Sequence, residues 1–141
     1  MNEATRVARP PIRSYEDIEA YQRAMKLVAS IHALVRSFPP HEQRDLTAQM
    51  RRAAKSVPAN IAEGYARRSS IKEFKNYLRI AMASANEMEV HIKIAHELGY
   101  MPAKAFREHL DEYVIVGKQL NRLISGWRQF QPPASSIQER R

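Results

Sequence analysis

The sequence predicts an all-α protein: an antiparallel up-down-up-down four-helix bundle with its second helix kinked at Pro58. Three observations predict it. Apolar residues recur at helical spacing over four long segments, and none alternates as a strand would. Short connections marked by Pro, Gly or Ser separate the segments. The 141 residues, 44% hydrophobic and 27% charged, suit one domain.

The first helix is expected over 15–37. Ser14 and Asp17 resemble a capping box, with Asp in place of the usual Glu. Ile18, Tyr21, Met25, Val28 and Val35 make one row, and Leu27, Ile31, Leu34 and Phe38 an adjacent one. Pro39-Pro40 ends the helix, because the residue before a proline is pushed out of the α region.

The second helix is expected over 41–67, with Leu46, Met50, Ala53, Ala54, Val57 and Ile61 on one face. Pro58 lacks the N–H that would bond the Ala54 carbonyl, which predicts a kink within one helix. Ser56 and Asn60 are placed to serve the freed backbone groups.

The third helix is expected over 71–98, from a Ser70/Glu73 capping box to Gly99 at the C′ position. Ile71, Phe74, Leu78, Ala81, Ala85, Met88, Ile92 and Ala95 keep an unbroken 3-4 spacing. Tyr77, Ile80, Ile94 and Leu98 add a second apolar row. The fourth helix is expected over 102–130, with Pro102 at N1. Phe106, Leu110, Tyr113, Gly117, Leu120, Ile124 and Trp127 share its inner face. Gly117 and Gly126 read as close-packing positions.

Residues 1–14 read as an arm and 131–141 as a tail, both polar and proline-bearing, around a bundle over 15–130. The absence of cysteine excludes disulfides, thiolate metal sites and a cysteine nucleophile. No apolar run approaches the roughly 20 residues of a membrane span, and no signal peptide is recognisable. A cytoplasmic protein without membrane partners is expected.

Catalytic constellations are missing. No Glu has a His three residues on, as bundle di-iron sites require, and H-E-x-x-H is absent. The five histidines read as surface or rim residues. Four glycines build no phosphate loop, and G-x-S-x-G does not occur. Glu87 and Glu89 diverge on one helix and read as ion-pairing groups. The expectation is no enzyme, no metal and no cofactor.

Charge is the informative feature. The chain carries +8. Between positions 51 and 79, Arg51, Arg52, Lys55, Arg67, Arg68, Lys72, Lys75 and Arg79 face two acids, Glu63 and Glu73, leaving +6 there. Arg68, Lys72, Lys75 and Arg79 fall on one stripe of the third helix, and Arg44, Arg51 and Lys55 run along the second. An ordinary solvated face, partly ion-paired, would show this pattern. So would a surface that grips phosphates by releasing counterions. Tyr65 and Tyr77 are placed either to stack on bases or to edge the core.

The stretch Arg51-Arg52-Ala53-Ala54-Lys55-Ser56-Val57-Pro58-Ala59-Asn60-Ile61-Ala62-Glu63-Gly64-Tyr65 is followed by Arg67-Arg68-Ser69 and Glu73-Phe74. Together with Ser14 to Gln22, Ser84, Glu87, Glu89, Ala95 and Leu98-Gly99-Tyr100, it resembles the family of four-helix-bundle proteins first noticed as reading frames in 23S rRNA intervening sequences. That family is related to the accessory variability protein of diversity-generating retroelements. The resemblance implies a bundle protomer, a ring-like homopentamer and no known catalysis. For the retroelement relatives it also implies a basic surface for nucleic acid and a reverse transcriptase partner. Carried to this chain, it points to Arg51, Arg52, Arg67 and Arg68.

The reading that joins these observations is a non-enzymatic homo-oligomer binding structured RNA or DNA. The alternative is a protein-interaction scaffold without a nucleic-acid role. Asn60 and Glu63 read as structural, with Glu63 paired to Arg67 at i, i+4.

Overall fold

The computed structural model describes residues 11–130, so the expected tail and most of the expected arm lie outside the described residues. Four α-helices follow in order: α1 (Glu19–Val35), α2 (Leu46–Ala66), α3 (Ile71–Glu97) and α4 (Ala103–Gly126). Each packs on the next, and α4 returns to α1. Among the described residues there is no strand.

The helix ends depart from expectation, each for a local reason. Ser14 and Asp17 do form a reciprocal capping box, but it caps a 3-10 turn, Tyr15–Asp17. Ile18 is extended (φ −78°, ψ 121°), and α1 starts after it. Ile12 packs against the core from just ahead of this turn. A second 3-10 turn, Pro40–Glu42, occupies the expected start of the second helix. There the buried Glu42 accepts from Leu46 N (3.3 Å) and from the Tyr100 hydroxyl (2.8 Å), supplying the cap that Asp45 does not. At α3 the capping box is half made: Ser70 Oγ accepts from Glu73 N at 3.2 Å, while Glu73 Oε1 turns to Arg67 Nη1 at 3.6 Å. Pro102 is the N-cap of α4, and its expected last turn is a 3-10 turn, Trp127–Phe130.

The far end of α3 follows expectation closely. Gly99 has φ +80°, with Gly99 N bonding His96 O (3.0 Å) and Tyr100 N bonding Ala95 O (2.9 Å). This is a Schellman ending, which needs a residue comfortable in the left-handed region.

The core is built from the predicted faces. Phe74, Leu78, Ala81, Ala85, Met88, Ile92 and Ala95 of the α3 seam are buried. On α1 the buried row is Ala20, Ala24, Leu27, Ile31 and Val35, while Met25 of the other row is exposed. α2 runs as one helix through Pro58. Asn60 Nδ2 donates to the Ser56 carbonyl (2.8 Å) and Ser56 Oγ (3.0 Å), not to the carbonyl of Ala54. Ser56 Oγ and Ser84 Oγ hydrogen-bond across the α2–α3 seam at 2.8 Å. Between α1 and α4, Arg23 pairs with Glu112 (2.8 Å), and Ser30 bonds His109 Nε2 (2.6 Å).

Candidate nucleic-acid interface

The α2–α3 turn folds around an aromatic cluster. Tyr65, Phe74 and Trp127 meet edge to face, with Phe74 and Trp127 centroids 4.6 Å apart. Tyr65 is 7% exposed, which removes it as a base-stacking platform. Its ring is covered by the Arg68 guanidinium at 4.1 Å, a cation–π contact. Tyr77 is half-buried, with Arg67 5.4 Å from its ring.

The eight predicted cations divide into three groups. Arg67 is committed: its Nε meets Glu63 Oε2 at 2.9 Å and its Nη1 meets Glu73 Oε1 at 3.6 Å. The Glu63 hydrogen bond, the Tyr77 ring and the Glu63 charge raise its pKa. Arg68 donates from Nη1 to the Tyr65 carbonyl at 3.0 Å, closing the end of α2. These two arginines therefore build the turn.

The second group, exposed Lys72 and Arg79 with half-buried Lys75, rises along α3 from that turn. Arg79 bonds Asn76 Oδ1 (3.2 Å), and none of the three has an ion pair among the described residues.

The third group is Arg51, Arg52 and Lys55 on α2, also without ion pairs among the described residues. From Lys55 to Arg67 the helix climbs roughly 18 Å, so this group does not meet the others at the turn. The Ser56–Ser84 bond sets the register, with Lys55 level with about Ala85. Arg79 then lies about 9 Å of rise from Lys55, and Lys72 about 20 Å. The six unpaired cations of α2 and α3, spread over roughly 26 Å of rise, constitute a basic band. Arg44 precedes α2 and is exposed.

α3 also carries an exposed apolar stripe. Ile80, Val90, Ile94 and Leu98 of α3 are 48%, 54%, 41% and 52% exposed. The sequence marked three of them. Val90 went unmarked because it lies off the core seam, although it stands at i, i+4 with Ile94. Among the histidines, His91 corrects the surface reading: it is buried, bonded to Glu87 Oε2 at 2.9 Å, and its Nδ1 has no partner among the described residues. No group of three or more metal-ligating side chains clusters among the described residues. No described helix is long and apolar enough to cross a membrane.

Comparison with known proteins agrees with this architecture. A family model described as 23S rRNA-intervening sequence protein matches residues 16–122. A crystal structure of a protein of unknown function from the S23 ribosomal protein family of Bacteroides thetaiotaomicron is similar at TM-score 0.65 and 22% identity. The match covers 74% of this chain and 97% of that one. No curated protein matches.

Proposed function

The chain belongs to the 23S rRNA-intervening sequence protein family, and on that footing we propose a non-enzymatic, homo-oligomeric bundle whose basic outer surface binds structured RNA or DNA. One observation carries the reading: Arg52, Lys55, Lys72 and Arg79 are exposed and Arg51 and Lys75 half-buried on α2 and α3, all without carboxylate partners among the described residues. Cations placed so contact phosphates and carry little sequence information. A 23S rRNA helix is the first ligand to try, and a reverse transcriptase is the protein partner in a retroelement setting. Labelled structured RNA should bind with micromolar or tighter affinity and weaken steeply as salt rises. Absent or salt-independent binding removes the proposal.

The exposed α3 stripe supports burial against other copies of the chain, with a pentameric ring as the proposed assembly. The same stripe favours a second reading, a scaffold whose basic surface meets an acidic protein. Capture from nuclease-treated lysate separates the two: a protein partner that survives nuclease, with no RNA affinity of the purified chain, selects the scaffold.

A further inference from the structure

The α3–α4 groove has a volume of about 270 Å³. Met82, Asn86 and Glu89 line it from α3, and Gly117, Lys118 and Asn121 from α4, with Val114 beside them. The glycine is the anomaly. A Cβ built on Gly117 meets nothing within 4 Å, so the close-packing role expected for it does not hold. Its backbone is ordinary helix, since Gly99 is the glycine with positive φ. Glycine inside a helix costs about 1 kcal/mol relative to alanine, and neither packing nor φ requires it here.

The polar heads around Gly117 are also unspent. Asn86, Glu89, Lys118 and Asn121 have no hydrogen-bond or ion-pair partner among the described residues. Two amides, a carboxylate and an ammonium thus edge a patch containing Met82 and Val114. That chemistry suits a flat ring with hydrogen-bonding edges. Asn pairs bidentately with adenine, carboxylates accept from exocyclic amines, and lysine meets phosphate. The cation run Lys72, Lys75, Arg79 ends one helical turn before Met82.

We propose that the groove over Gly117 seats one unpaired nucleobase, adenine foremost, of the RNA gripped by the basic band. This rests on the nucleic-acid reading above. Two measurements on the full chain test it. Titration with adenosine monophosphate should shift the Gly117 backbone amide and the Asn86 and Asn121 side-chain amides in NMR spectra, whereas ribose 5-phosphate should not. An RNA hairpin with a single-adenine bulge should bind about tenfold tighter than its fully paired counterpart, the order of one bidentate Asn–adenine pair. Gly117→Leu, which fills the groove, and Asn121→Ala, which leaves the backbone alone, should each erase that preference while keeping the salt dependence. Equal affinity for both hairpins with no base-dependent shift overturns the subsite and leaves the basic band standing. Failure to bind either hairpin removes both.

Discussion

A methyl group added at Gly64 would lie 2.7 Å from the Tyr77 Cβ and 3.2 Å from the Phe74 carbonyl. α2 and α3 therefore approach too closely at this level for any side chain. Gly64→Ala should destabilise the fold: overpacking costs about 1–3 kcal/mol, against about 1 kcal/mol gained from helix propensity. A net loss of order 1 kcal/mol lowers the melting temperature by about 4 °C. Gly117→Ala should have the opposite sign, because the space there is open. Thermal melts of the two variants check the contrast.

Arg67 is ion-paired to Glu63 and Glu73, so part of its charge is already met at the turn. The double variant Glu63→Gln/Glu73→Gln should raise affinity for structured RNA by freeing that cation. It should leave stability almost unchanged, since exposed pairs contribute little. Filter binding and denaturation measure the two effects, and unchanged or weaker RNA binding contradicts the assignment of Arg67 to the turn.

Tyr113 is fully buried, and its hydroxyl has no partner among the described residues. Burial raises its pKa above the ordinary 10.0. The folded state thus holds this proton where the unfolded chain releases it, so stability is complete below pH 10 and falls as pH rises beyond it, by about 1.4 kcal/mol per unit. Tyr113→Phe should stabilise the protein by about 1 kcal/mol at neutral pH, because an unsatisfied buried hydroxyl is removed. It should also flatten the alkaline loss. Denaturant titrations of both proteins at pH 8 and pH 11 give the comparison.

Val90 and Ile94 sit at the centre of the exposed α3 stripe. Val90→Glu/Ile94→Glu should convert the proposed oligomer to monomer with its helical content intact. Sedimentation and circular dichroism test this. A wild-type protein that sediments as a monomer of 16.3 kDa refutes the interface.

The bundle was legible because the α3 seam repeats without interruption and Ser70, Gly99 and the prolines mark its boundaries. The short 3-10 turns were not legible, since they depend on tertiary partners: Glu42 caps α2 only because Tyr100 and Leu46 reach it. The α1 rows illustrate the same limit. Periodicity gave two adjacent faces, and packing against α2 and α4 decided that Leu27 and Ile31 go inside while Met25 stays out. For the basic surface, the sequence supplied every cation but not the commitments of Arg67 and Arg68, which arise where Glu63, Glu73 and the Tyr65 ring converge at the turn. The Gly117 groove carried no motif, because its polar residues come from two helices distant in sequence.

A role for the α2 and α3 cations is tested most directly by the salt dependence of structured-RNA binding among four proteins: wild type, Lys72→Glu/Lys75→Glu/Arg79→Glu, Arg51→Glu/Arg52→Glu/Lys55→Glu, and a charge-matched control, Lys26→Glu/Arg36→Glu/Lys104→Glu. Each phosphate contact contributes just under about one unit to the slope of log affinity against log salt. Each of the first two variants, losing three contacts, should flatten that slope by about 2.7, and the control should leave it near wild type. A control that loses as much slope and affinity as the other two would show that net charge alone governs binding, and would contradict a basic band on α2 and α3.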